Sequence, residues 1–320
     1  MFSAFFMRLF IIISVLVFIG FQGFCQKKYY KNELGFRSEN DAYLGTKQDR
    51  YYTNGLFIHF RRASINKKDS TIKKIWSINA GQEMYNPQSG RIKDIENVDR
   101  PFAAYLYGGG SLQWLKHNEN NIKIELQVGT IGQPALGEEA QTILHKVVGF
   151  YKISGWQYQV NKEIGVNAKL NLHYLLLRNK QKSIDLSLPL NASLGNTFSG
   201  LNAGILFRTG SLNPFYHSVA TQSNVATNAE PGLATKEFYF FLKPTLTYVA
   251  YDATIQGGLF TDDKGPVTYK PNPFVFAQQI GVAYASQRWT FDFSVIFKSK
   301  QLAEAKKSEQ YGSLAMYYRF

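Results

Sequence analysis

The chain has 320 residues, 45% of them hydrophobic and 15% aromatic, and a formal net charge of +13. Its one cysteine, Cys25, excludes a disulfide framework and leaves the rest of the chain without a thiolate metal site or nucleophile. It contains no G-x-S-x-G elbow, P-loop, HExxH or dinucleotide-binding glycine pattern, so the enzymes built on those signatures are set aside.

Residues 1–25 combine one positive charge, Arg8, with an apolar run from Leu9 to Phe18, followed by Gly20, Gly23 and Cys25. That layout predicts a secretory signal peptide, a mature start near Gln26 and a single domain over 26–320. Beyond Phe18 no apolar run reaches the length of a spanning helix. With 20 Tyr and 25 Phe in the chain, the remainder belongs either to a large all-β core or to a sheet whose outer face meets lipid. The charge, +12 without Arg8, favours anionic partners. In an exported chain those are lipid phosphates rather than nucleic acid.

Alternation with period 2 dominates the chain from residue 31 onward. In the segment 122–128, Ile122, Ile124, Leu126 and Val128 alternate with Lys123, Glu125 and Gln127. Trp289, Phe291, Phe293, Val295 and Phe297 share one face of a later segment, and Leu314, Met316, Tyr318 and Phe320 one face of the last. The pattern predicts strands at 31–40, 52–62, 74–85, 104–117, 121–131 and 157–177. Further strands are predicted at 182–194, 199–208, 236–250, 273–285, 288–298 and 310–320. About twelve antiparallel strands with aromatic apolar faces and Lys, Glu, Asp, Asn and Gln on the other predict an all-β transmembrane barrel of the outer-membrane type.

With both termini inward, the outward connections are 41–51, 86–103, 132–156, 195–198, 251–272 and 299–309. The inward connection 209–235 is unexpectedly long. Glu138 to Phe150 does not alternate; Ala140, Ile143, Leu144, Val147 and Val148 recur at helical spacing, so a short helix lies within an outward connection.

Five histidines are available. His117 and His217 fall in inward connections, His173 near the inner end of its strand, and His59 mid-strand facing the lumen. Only His145 lies outward, one helical turn after Gln141. Polar clusters gather on the same rim: Glu39-Asn40-Asp41, then 51–55, 84–87 and 99–102. These residue types punctuate any hairpin, yet here they set hard oxygen donors beside one imidazole, a combination that suits Ca²⁺ better than Zn²⁺.

The chain resembles the outer-membrane lipid A 3′-O-deacylase family through S-E-N-D at 38–41, D-R-Y-Y-T-N-G at 49–55, Q-E-M-Y-N-P at 82–87 and D-R-P-F-A-A-Y-L at 99–106. G-T-I-G-Q-P-A-L-G-E-E-A-Q-T-I-L-H at 129–145 and G-W-Q-Y-Q at 155–159 continue it. The resemblance implies hydrolysis of the ester that attaches the 3′ acyloxyacyl chain of lipid A in the outer leaflet. It implies His145 as general base with Asn40, Asp41 and Thr53 beside it, Gln141 on the substrate, and Ca²⁺ stabilising the oxyanion. Asp41 and Glu39 are the expected metal ligands, and Arg91 or Lys93 the expected contact to a lipopolysaccharide phosphate. One departure is Tyr151, six residues after His145, where a characterised member of the family carries a carboxylate. An esterase for another envelope lipid, or a barrel that acts as a pore or binding protein, are the alternative readings.

Overall fold

The computed structural model describes residues 29–45, 49–65, 72–228 and 233–320. The expected signal peptide lies outside the described residues.

Strands run in chain order as β1 (Asn32–Asn40), β2 (Tyr51–Ile65), β3 (Ile72–Asn86), β4 (Ala103–Lys116), β5 (Asn121–Ile131), β6 (Glu163–Arg178) and β7 (Ile184–Gly195). They continue as β8 (Phe198–Gly204), β9 (Leu206–Ser211), β10 (Glu237–Asp252), β11 (Phe274–Ala285), β12 (Trp289–Lys298) and β13 (Glu309–Arg319). Each pairs antiparallel with its neighbour, and β1 pairs with both β2 and β13, which closes the sheet. β8 and β9 both pair with β7 and with β10, so they are two segments of one staggered strand interrupted at Ile205. The result is a closed antiparallel barrel of twelve spanning strands. Closure leaves no unpaired edge, the condition for a sheet to sit in hydrocarbon.

The side-chain alternation divides the wall cleanly. Leu34, Phe36, Leu56, Ile58, Ile78, Leu126, Val128 and Ile164 point outward and are exposed, forming an apolar belt. Lumen-facing positions carry ion pairs instead. Glu33 is held by Arg61 (2.6 Å) and Arg319 (2.9 Å), and Lys123 pairs with Glu125 (2.9 Å). Buried charges persist only when paired in this way.

Long connections gather at one end, here the loop end, and most short turns at the other, the turn end. Of the exception expected from the sequence at 209–235, the described residues 212–228 fold back into the barrel mouth. Phe215 and Val219 pack on lumen-facing Tyr239 and Phe241 of β10, while Val225 reaches Ala63, Ile75 and Leu115 on the far wall. Polar anchors fix it: Lys73 Nζ donates to the Tyr216 carbonyl (2.9 Å) and the Ser223 carbonyl (2.7 Å), and Gln113 Nε2 to the Thr221 carbonyl (2.8 Å). Arg208, fully buried, bonds Asp185 (2.6 Å) and Ser218 (2.7 Å). The segment is a plug, which explains a connection too long for a turn.

Most boundaries shift by one to three residues, and two of the differences have a structural cause. The segment 157–162 is not part of β6, because Trp156 is drawn into a cluster outside the wall and begins a 3-10 turn over Trp156–Tyr158. The strand expected at 199–208 extends to Ser211 with its break at Ile205.

Candidate active site on the outer wall

Among the described residues the one longer helix, α1 (Gly137–Val148), matches the helical spacing seen in the sequence. Glu138 and Glu139 occupy its first turn, favourable against the helix dipole, and Gly149 ends it in the left-handed conformation with its N–H on the His145 carbonyl. Gly137 is needed for close approach: a Cβ there would lie 2.3 Å from the Trp156 ring and 2.6 Å from Ala104 Cβ.

The helix packs on the outside of the barrel, not over its mouth. Met84 and Ala104 share the outward face of β3 and β4 with exposed Ile78 and Leu112, yet both are wholly buried, covered by Ala135, Trp156, Ile92, Val98 and Phe102. Trp156 Nε1 donates to Gln141 Oε1 (2.8 Å), which ties the covering segment to α1 and fixes the glutamine.

His145 is buried beneath this cover. Its Nδ1 lies 2.7 Å from the Tyr151 carbonyl, an acceptor, so Nδ1 carries the proton in the neutral ring and Nε2 is bare. Nε2 stands 3.0 Å from Asp49 Oδ2, at ion-pair distance but without hydrogen-bond alignment. The Tyr151 hydroxyl donates to the same carboxylate oxygen. Thr53 Oγ1 lies 3.3 Å from Asp49 Oδ1 and 3.3 Å from Asp41 Oδ1. An irregularity in the β2–β3 register at Thr53 lets Tyr52 face the lumen while Thr53 meets the carboxylates. Asp41 also accepts from the Arg50 N–H (2.8 Å), and Asn40 accepts from the Ala42 N–H (2.7 Å) and reaches Asn54 at 3.4 Å.

The electrostatics follow from burial and proximity. Burial pushes the Asp41 carboxyl well above the usual carboxylate range, and the Asp49 charge nearby adds to the rise. Burial also acts to raise Asp49, but His145 and Tyr151 outweigh it and hold that carboxyl low. For His145 burial acts to lower the pKa, and the Asp49 carboxylate with the Tyr151 carbonyl outweighs it, so the imidazole sits above its ordinary value.

The structure brings together Asp41, Thr53 and His145, with Asn40 beside Asp41 and Gln141 one turn along α1. It does not bring Glu39 to them. Adjacent strand residues face opposite ways, and Glu39 points to the lumen, where Tyr52 Oη (2.7 Å), Arg37 Nε (3.3 Å) and Ser313 Oγ (3.3 Å) surround it. The expectation of Glu39 as a ligand is corrected on that ground. Asp49 is the second carboxylate of the cluster instead, and the D-R-Y-Y-T-N-G run already carried it. Among the described residues no three His, Cys, Asp or Glu side chains assemble as a metal cluster. Two buried carboxylates bridged by the Thr53 hydroxyl nevertheless form an oxygen donor set that fits a hard divalent cation.

Arg91 stacks on the Tyr151 ring (4.0 Å), and Arg91, Lys93 and Lys152 line a cavity of about 640 Å³ beside the site. Both expected phosphate contacts are therefore exposed cations on its edge.

A closed barrel with an apolar belt, a plugged turn end and a polar site on its membrane-facing wall defines an outer-membrane β-barrel. The chain belongs to the family described as outer membrane protein LpxR, whose model matches residues 9–320. Among solved structures, LpxR from Salmonella typhimurium is 19% identical and superposes with a TM-score of 0.69, over 90% of this chain and 100% of that one. The β-domain of the Bordetella autotransporter BrkA is 10% identical with a TM-score of 0.49, over 92% and 100%. No curated protein sequence matches the chain.

Proposed function

We propose that the protein is a lipid A deacylase of the outer leaflet, hydrolysing the ester of the 3′ acyloxyacyl chain with His145 as general base. The observation that carries this reading is the Asp41–Thr53–Asp49–His145 cluster, buried on the outward face of the wall where a lipid arrives from the bilayer. The loop end then faces the cell exterior, and the cations around the 640 Å³ cavity suit the phosphates of lipopolysaccharide.

His145 Nε2 takes a proton from a water as it attacks the ester carbonyl, while Nδ1–H holds the ring on the Tyr151 carbonyl. Asp49 stabilises the imidazolium so formed. His145 then returns the proton to the departing alkoxide, releasing the fatty acid and the sugar hydroxyl. Gln141, fixed by Trp156, borders the substrate side of the histidine. A calcium ion held by Asp41 and Asp49, with Thr53 and Asn40 supporting them, would supply positive charge for the developing oxyanion.

Purified protein incubated with lipid A and with diacyl phospholipid, each with calcium or with chelator, tests the reading. Loss of the 3′ acyl group only with calcium supports it; cleavage of phospholipid alone moves the assignment to another envelope lipid. The plug counts against the pore alternative.

A further inference from the structure

Asn86 closes β3 at the loop end, in register with Tyr51, and its side chain is wholly buried. Neither its Nδ2 nor its Oδ1 has a hydrogen-bond partner. A primary amide offers two donors and two acceptor sites, and burying them unpaired costs stability. A fold that keeps such a group has a use for it or fills the space with something else.

The surroundings identify the use. A Cβ placed on Gly90 would stand 2.7 Å from Tyr151 Oη, 3.4 Å from Asn86 Nδ2 and 3.4 Å from Asp49 Oδ2. Asn86 Nδ2 thus lies in the same neighbourhood as the carboxylate that flanks His145, and Gly90 is what allows Tyr151 Oη to pack close there. Two further buried nitrogens in the site, His145 Nε2 and Gln141 Nε2, also lack hydrogen-bond partners. Orphaned groups of one region point to one absent ligand. Asn86 is also rigidly placed. It ends a strand, and the carbonyl of the next residue, Pro87, accepts from the Tyr51 N–H (3.3 Å).

We propose that Asn86 is a catalytic residue of the ester hydrolysis, its Nδ2 donating a hydrogen bond to the scissile carbonyl oxygen as that oxygen becomes negative. This rests on the reading given under Proposed function. A neutral, preorganised donor stabilises developing charge without repelling a neighbouring cation and without a proton to transfer. Its neutrality also suits a place beside Asp49, where a third carboxylate would add to the repulsion between Asp49 and Asp41.

The test compares wild type, Asn86→Ala and Asn86→Asp on lipid A and on diacyl phospholipid, with thermal unfolding of the folded barrel followed in parallel. Removing one oxyanion donor is expected to lower kcat by roughly 10²–10³-fold with little change in KM. Asn86→Asp, whose ionised carboxylate cannot donate, is expected to be equally slow. Because Asn86 has no protein partner to lose, the unfolding temperature of Asn86→Ala is expected to be no lower than that of wild type. A wild-type kcat in Asn86→Ala overturns the proposal, as does a fall in unfolding temperature, which would mark a structural role. Activity of wild type on phospholipid alone sinks the lipid A reading while the same kcat comparison still decides the role of Asn86. Inactivity on both esters overturns both.

Discussion

His145 Nε2 and Asp49 Oδ2 lie 3.0 Å apart, although one rides on a helix packed outside the barrel and the other on the connection that enters β2. The contact joins the cover to the wall, and the hydrolytic chemistry is assigned to this seam. His145→Ala is expected to lower kcat by about 10²–10⁴-fold, the usual loss with a general base. Because Phe150 and Tyr151 rings pack edge-on to the imidazole, His145→Gln is the better control for packing. Both variants should keep the heat-resistant electrophoretic mobility of a folded barrel.

Asp49 holds the histidine above its ordinary pKa against the opposing effect of burial. A raised pKa means that the protonated ring is favoured by the carboxylate, so its removal must lower the value. In Asp49→Asn without calcium, the His145 resonance of ¹³C-histidine-labelled protein is expected to titrate at lower pH than in wild type. In wild type it should titrate above 6.5. An unchanged titration would separate the two side chains electrostatically.

Asp41 and Glu39 are near in sequence and lie on opposite faces of the wall, so calcium should tell them apart. Asp41→Asn is expected to weaken calcium binding by an order of magnitude or more, and Glu39→Gln to leave it within about 2-fold. Titration calorimetry on the purified barrel measures both. Equal losses would return Glu39 to the ligand set.

The plug makes two separate predictions. In planar bilayers the wild-type barrel is expected to show no steady conductance, and deletion of 214–228 to open a channel. Arg208→Ala leaves Glu237 buried without its counter-charge and Asp185 with Arg178 alone. Its expected cost is about 3–5 kcal/mol in urea unfolding from lipid vesicles. A smaller loss would mean that water enters the turn end.

Most of the barrel was legible because period-2 alternation is local. Each strand states its own faces, and helix α1 appeared where alternation gave way to a 3–4 spacing. The same rule places Glu39 opposite Asn40 but would set Asp41 on the face of Glu39; only the 3-10 turn that begins at Asp41 separates the two carboxylates. The plug was not legible, since its hold on the lumen depends on Lys73, Gln113 and Arg208 from distant strands. Nor was the outward position of the site. Met84 and Ala104 read as lipid-facing, and only the long-range packing of Trp156 and Ala135 shows that they are covered. Asp49 and Asn86 both lie inside recognisable motifs, but their importance comes from what they meet in space.

The central claim is tested most directly by mass spectrometry of lipid A from a Gram-negative host that expresses wild type, His145→Ala or Asp41→Ala in its outer membrane. The account predicts loss of the 3′ acyloxyacyl group with wild type and an unaltered lipid A with either variant. An unaltered lipid A with all three, each verified as folded and inserted, would contradict it.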